Sequence, residues 1–246
     1  MKLSIVIPCY NEEQTLSSIV TSVLGLNSTN MSVEVVIVDD CSSDGSRKVA
    51  EQLATEYPGV KLVAHPTNRG KGASLRTGFL EATGDMVGIQ DADNEYDPQD
   101  YLKLVKPIAD GRADVVYGSR YLPSGERRVL RHWHTSMNRF LTLLSNMCSD
   151  LSISDMETCY KLFSRDVIQQ IAPLLREERF GFEPEVTALV ARGMRTKGWR
   201  VFECPVRYKP RTFMEGKKIG WKDGIRAVWC ILKYNLLMRG GIDDQK

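Results

Sequence analysis

Short, almost unbroken apolar runs rich in β-branched residues recur through the first half of this chain, at residues 3–7, 33–38, 60–64, 86–89 and 114–117. Runs of this length that do not alternate with polar residues fit strands buried on both faces, as in a parallel sheet. Between them, residues 13–24, 45–56, 73–82 and 99–109 carry helical periodicity. Strand and helix in alternation give an α/β, Rossmann-like fold with a mostly parallel central sheet flanked by helices. Asp97 before Pro98 supplies an N-cap and a proline at the first helical position, which fixes one helix start.

After Tyr121 the order loosens. A Gly-, Pro- and Arg-rich stretch at 122–128 leads to an expected helix at 132–149, a loop around Asp155 and a helix from Arg165. A late strand at 200–206 and a final amphipathic helix at 223–238 complete the reading. The expected organisation is one unit over 1–212, with two halves that meet at about 120–121, followed by a basic amphipathic segment over 213–246.

Open α/β sheets bind ligands beyond the carboxyl ends of their strands, so the residues that follow each run are the candidates for function. The fourth run ends in Gln90-Asp91-Ala92-Asp93-Asn94-Glu95. Asp91 and Asp93 flank one small residue, so in an extended segment both carboxylates face the same way and share one cation. Hard oxygen ligands suit Mg²⁺ or Mn²⁺, with Glu95 as a third ligand. Asp39 and Asp40 follow the second run, where carboxylates bind ribose hydroxyls or base N–H groups. One of Asp40, Ser42, Ser43 and Asp44 is expected merely to cap the helix that starts near Gly45. Asn68-Arg69-Gly70-Lys71-Gly72 gives a basic turn ahead of a helix N-terminus, a place for phosphate. It is no Walker sequence, and GxGxxG is missing after the first run, so P-loop and dinucleotide-dependent chemistry are not indicated. A receiver-type binding module would explain the paired acids but leave the second half of the chain without a role.

Taken together, Val6-Ile7-Pro8-Cys9-Tyr10-Asn11-Glu12, Val38-Asp39-Asp40-Cys41-Ser42-Ser43-Asp44-Gly45, Asn68-Arg69-Gly70-Lys71-Gly72 and Gln90-Asp91-Ala92-Asp93 resemble family 2 glycosyltransferases of the GT-A fold. Within that family the chain looks most similar to dolichyl- or polyprenyl-phosphate mannose and glucose synthases. Gly118-Ser119-Arg120-Tyr121, Asp155-Met156-Glu157-Thr158-Cys159-Tyr160-Lys161 and Gly181-Phe182-Glu183-Pro184-Glu185 extend the likeness over nearly the whole length. The resemblance implies that Pro8, Tyr10, Glu12, Asp39 and Asp40 hold the nucleoside of a UDP- or GDP-sugar and that Lys71 lies near the diphosphate. Asp91, Ala92 and Asp93 complete the donor site, with Asp91, Asp93 and Glu95 on the metal; relatives also place Gln where Glu95 stands. Asp155, with Asp93, is implied in catalysis, as a general base toward a hydroxyl acceptor or as a positioning group toward a phosphate. Arg120, Arg131 and Arg211 match the family's clamp for an acceptor phosphate.

Charge distribution supports an anionic acceptor. From Lys197 onward twelve Lys and Arg face five Asp and Glu, a balance of +7 against −5 for the rest of the chain. Val228, Trp229, Leu232 and Leu236 form an apolar stripe with Lys222, Arg226, Lys233 and Arg239 beside it, a pattern that suits a helix lying on a membrane surface or packed on the domain. A phosphorylated lipid acceptor at a peripheral membrane surface is the expectation. The alternatives are a hydroxyl of a soluble or polysaccharide acceptor, or a non-catalytic nucleotide-sugar-binding module. Nucleic acid is not expected, because no recognised nucleic-acid motif accompanies the basic residues. Six scattered cysteines without CxxC spacing, no secretory signal and no run of about 18 apolar residues point to a cytoplasmic protein without a transmembrane helix.

Overall fold

The computed structural model describes residues 1–27, 30–123, 128–210 and 221–238. Strands β1 (Lys2–Cys9), β2 (Ser32–Asp39), β3 (Val60–Ala64), β4 (Met86–Ile89), β5 (Val115–Ser119), β6 (Lys161–Ser164) and β7 (Val201–Pro205) form one sheet in the order β3-β2-β1-β4-β6-β5-β7. β1 runs parallel to β2 from Lys2 opposite Ser32 to Cys9 opposite Asp39, and β4 runs parallel to β1 with Ile89 opposite Val6. This register delivers the segments after Cys9, Asp39 and Ile89 to one edge. The sheet core is Leu3, Ile5, Ile7, Val35, Ile37, Val87 and Val115, all buried.

Helices α1 (Leu16–Leu24), α2 (Ser46–Glu56), α3 (Lys71–Glu81), α4 (Tyr101–Ala109), α5 (His132–Ser149), α6 (Arg165–Ile171), α7 (Phe182–Lys197) and α8 (Trp221–Leu232) cover the faces. Asp97 caps as expected: its Oδ1 accepts from the Gln99 N–H at 3.0 Å, with Pro98 at the first position of a 3₁₀ turn before α4. At the start of α2, Asp44 is the capping group, its Oδ1 accepting from the Ser46 N–H at 3.0 Å.

Two elements go beyond the sequence expectation. β6 pairs antiparallel with both β4 and β5 and so separates them. Its first residue is Lys161, fully buried, whose Nζ donates to the Met156 carbonyl at 3.0 Å and lies 5.0 Å from the Tyr117 ring centre. A lysine in a four-residue strand breaks the apolar run by which a buried strand is recognised. α7 escapes a periodicity argument for the opposite reason: Phe182 to Ala191 are all buried, so no polar face sets the 3.6-residue period. Pro184 lies in its first turn, where a missing N–H costs no helical bond.

The C-terminal helix packs chiefly through residues outside the expected stripe. α8 packs on α5 and α7 through Ala227, Cys230 and Ile231, with Tyr234 following in a π-helical turn at Lys233–Leu237. Trp229 and Leu236, expected on the packing or membrane face, are exposed, as are Trp133, Phe140 and Met147 on α5. Among the described residues no helix is long and apolar enough to cross a membrane.

Candidate active site

The adjacent acids after β2 divide their work. Successive side chains along a strand point to opposite sides. Asp40 turns toward the 68–70 turn, where its carboxylate accepts from the N–H groups of Arg69 at 2.9 Å and Gly70 at 2.6 Å and meets His65 Nδ1 at 2.7 Å. This bonding holds the turn that leads into α3. Gly70 sits at φ +96°, a conformation that an L side chain would strain. Asp39, by contrast, is fully buried and neither of its carboxylate oxygens has a hydrogen-bond partner. Burying an ion without donors is costly, so a group that brings N–H or O–H to it is called for.

The facing loop follows β1. Pro8 and Glu12 are half-buried and Tyr10 is exposed. Asn11 adopts φ 55° and its Oδ1 accepts from the Ser43 N–H at 2.8 Å, while the Glu12 N–H donates to Ser46 Oγ at 2.8 Å. These bonds tie the loops after β1 and β2 into a rim around Asp39.

Lys71 opens α3 and crosses to the third acidic segment. Its Nζ stands 3.0 Å from Asp91 Oδ1 and 3.2 Å from Glu183 Oε1. Burial opposes the ammonium, but the carboxylates of Asp91 and Glu183 outweigh it and hold the lysine charged, well above its ordinary range. Next to them the Cys159 thiol is pushed up by burial and by Asp91. Ala92 is buried, and Asp93 Oδ1 accepts from the Glu95 N–H at 3.1 Å. Glu95 Oε2 accepts from the Tyr208 hydroxyl at 2.8 Å, and the Lys209 N–H donates to its carbonyl at 2.8 Å. Among the described residues no three of His, Cys, Asp and Glu converge as a metal cage. Glu95, expected as a third ligand, thus also anchors the chain at Tyr208 and Lys209.

On the acceptor side the expected base and the expected phosphate clamp bind each other. Arg120 Nε and Nη2 each donate to one oxygen of Asp155 at 2.7 Å, and the Arg120 N–H adds a third bond at 3.0 Å. Burial opposes the guanidinium charge, yet Asp155 keeps its pKa well above the ordinary value. Its group also lies 5.1 Å from the Tyr208 ring centre. Arg120 and Asp155 thus form one buried ion pair. Arg131 is exposed at the N-cap of α5, and Arg211 lies outside the described residues, as do Lys217 and Lys218.

Sequence reasoning missed two groups here. Glu183 belongs to α7, an element it did not identify. Glu157 has one buried oxygen, Oε1, without a hydrogen-bond partner, and its carboxyl is pushed up to about 7 by burial, with the charge of Glu183 adding. Its signal was its place inside the Asp155 motif.

Comparison with known proteins follows the same lines. Residues 4–172 match the family model of glycosyl transferase family 2. The chain is 28% identical over 253 residues to a dolichyl-phosphate beta-glucosyltransferase of Trichomonas vaginalis, covering 97% of this chain and 74% of that one. It is 28% identical over 246 residues to an undecaprenyl-phosphate mannosyltransferase of Micrococcus luteus, covering 97% and 96%. Among solved structures, glucosyl-3-phosphoglycerate synthase from Mycobacterium tuberculosis with Mn²⁺, UDP and glucosyl-3-phosphoglycerate aligns with a TM-score of 0.70 at 18% identity, covering 95% of this chain and 80% of that one. The same enzyme with Mn²⁺, UDP-glucose and phosphoglyceric acid gives 0.68 at 18% identity, covering 95% and 79%.

The fold is therefore GT-A, and the expected divalent cation is matched by the Mn²⁺ in those structures. The narrower expectations do not hold. A likeness chiefly to polyprenyl-phosphate synthases, a phosphorylated lipid acceptor and a membrane-surface partner are overturned by solved structures of the same fold that hold phosphoglyceric acid, a soluble acceptor. In the structure Arg120 is paired with Asp155, and Arg226 and Lys233 of the C-terminal segment are paired with Glu177.

Proposed function

The chain belongs to glycosyl transferase family 2 and is a glycosyltransferase, and on that premise we propose that it moves a sugar from a UDP-sugar to a hydroxyl of a small soluble acceptor that carries an anionic group. One observation carries the donor half: Asp39, buried with two unpartnered oxygens at the end of β2. A nucleobase N–H or a ribose hydroxyl provides the missing donors. UDP and UDP-glucose in the solved structures of this fold, with phosphoglyceric acid as their acceptor, support the choice of donor and acceptor class.

The residues present fit a divalent cation. Asp91 already attracts the Lys71 ammonium at 3.0 Å, and Asp93 stands one residue beyond Ala92. Two carboxylates are the protein share that Mg²⁺ or Mn²⁺ takes when diphosphate oxygens complete the shell. Bound there, the cation supplies Lewis-acid neutralisation of the leaving diphosphate. Lys71, held between two carboxylates, is placed to offer a point charge to the diphosphate. Pro8, Tyr10 and Glu12 form the rim over the nucleoside.

For a hydroxyl acceptor a base is needed, because removing the proton as the bond to the anomeric carbon forms lowers the barrier. We assign that proton to Glu157 Oε1, the carboxylate oxygen without a partner. Asp155 then positions Arg120, whose stack on Tyr208 closes the acceptor side. A catalytic unit over 1–212 with an appended segment over 213–246 remains our division of the chain, and six free thiols suit a cytoplasmic setting.

A donor screen by thermal shift tests the reading. UDP-glucose, UDP-GlcNAc, UDP-galactose and GDP-mannose are each added with and without Mn²⁺, and a ligand that binds the folded state raises Tm by mass action. A Mn²⁺-dependent shift with a UDP-sugar is expected. A shift with GDP-mannose alone, or with none of them, would overturn the donor assignment.

A further inference from the structure

Residues 175–181, ahead of α7, touch the donor site on one side and the C-terminal helix on the other. Toward the donor site the loop lies backbone against backbone on the first turn of α3. A Cβ added at Gly72 would collide with the Glu177 carbonyl, and one at Gly70 with the Glu178 carbonyl. The Ala73 N–H donates to that Glu178 carbonyl at 3.1 Å, and Arg76 Nη1 donates to the Leu175 carbonyl at 2.9 Å. Lys71 stands between Gly70 and Gly72, so the position of this loop sets the position of its Cα.

Toward the C-terminus the loop projects one carboxylate. Glu177, buried, accepts from Lys233 Nζ at 2.9 Å and the Tyr234 hydroxyl at 2.8 Å on Oε1, and from Arg226 Nη2 at 2.7 Å on Oε2. The loop is braced from below as well, since Glu185 accepts from the N–H groups of Arg176 and Glu177, both at 2.8 Å. The mechanism above uses none of these groups.

We propose that Glu177 is a positioning residue for donor binding, tying α8 and the turn after it to the loop that fixes Lys71. The proposal rests on the reading of Lys71 as a diphosphate ligand. Three donors on two oxygens hold the loop on its C-terminal side, while on the other side the close approach of Gly70 and Gly72 to the Glu178 and Glu177 carbonyls leaves no slack between the loop and the start of α3. Releasing Glu177 therefore moves the loop and, with it, the lysine. Because the strap acts on ground-state and transition-state binding alike, its loss raises the donor KM and leaves kcat at saturating donor near its original value.

The test uses the full chain. UDP affinity by calorimetry in Mn²⁺, donor KM and kcat are measured for Glu177→Gln, for Glu177→Asp and for the double variant Arg226→Gln with Lys233→Gln, which removes both cationic donors of the strap without altering the loop. Lys71→Met is the control. Glu177→Gln and the double variant are expected to weaken UDP binding and raise donor KM by at least about 5-fold, the lower end of coupling between sites. Glu177→Asp, which keeps the charge, should recover part of the loss, and acceptor KM should not change. Lowered Tm with unchanged UDP affinity would make Glu177 purely structural and overturn the proposal. If Glu177→Gln does not fold, the double variant decides. Lys71→Met with full UDP affinity would instead remove the donor-site reading on which the strap depends, whereas a weakened Lys71→Met beside unaffected strap variants would sink the strap alone.

Discussion

Arg120 and Asp155 form a closed fork, two N–H groups on two oxygens at 2.7 Å each, with Asp155 fully buried. Removing one partner leaves the other charge buried and alone. Asp155→Ala is expected to lower unfolding free energy by about 3–5 kcal/mol, and Arg120→Met with Asp155→Leu together by far less. Urea unfolding of the two variants checks this. Equal losses would mean that the pair is not coupled.

The cation site rests on Asp91 and Asp93. Asp91→Asn and Asp93→Asn should each abolish Mn²⁺-dependent turnover while leaving the far-UV CD spectrum and Tm near wild type, since both residues lie in a segment beyond β4. Glu95→Gln keeps a group that accepts from the Tyr208 hydroxyl and should retain activity. Near wild-type turnover in either Asn variant at saturating Mn²⁺ would contradict the assignment.

Glu157 gives a pH dependence with a definite sign. A general base must be ionised, so kcat should rise as pH passes upward through about 7, and Glu157→Gln should lose that limb along with roughly 10² to 10⁴ in rate. Stability runs the other way. A carboxyl raised above its ordinary value near 4.5 binds its proton more tightly when folded, so its contribution is lost as pH rises from about 4.5 through about 7. The Gln variant should lack that decline, and a retained kinetic limb would remove Glu157 from the base role.

Glu177 has the opposite sign. Burial opposes its charge, but Lys233, Arg226 and Tyr234 together pull its carboxyl down to about 2. Its contribution is present above the unfolded value near 4.5 and disappears as pH falls through about 2. Glu177→Gln should flatten the acid limb of Tm against pH over that window. An unchanged limb would mean that its three contacts do not stabilise the fold.

How much of this was legible in the sequence follows from the kind of signal each element leaves. β1 to β5 announce themselves as apolar runs, and the acidic segments after β2 and β4 share an edge because parallel register requires it. The split between Asp39 and Asp40 was not legible, although strand alternation implies that one of two adjacent acids must point away from the ligand. β6 and α7 leave no period to read, the first because Lys161 interrupts four residues and the second because it is buried all round. Without β6 lying antiparallel beside β5, nothing places Asp155 against Arg120, 35 residues away. Without α7 there is no Glu183 for Lys71. The inward turn of Arg226 and Lys233 depends on Glu177, whose loop position no local pattern reveals.

The central claim is tested most directly by following labelled glucose from UDP-glucose with Mn²⁺, offered phosphoglyceric acid and a short-chain polyprenyl phosphate in parallel and separated by solvent extraction. The account predicts label in a water-soluble product that requires phosphoglyceric acid and is absent for Asp91→Asn. Label that appears only in the organic phase with polyprenyl phosphate would contradict it.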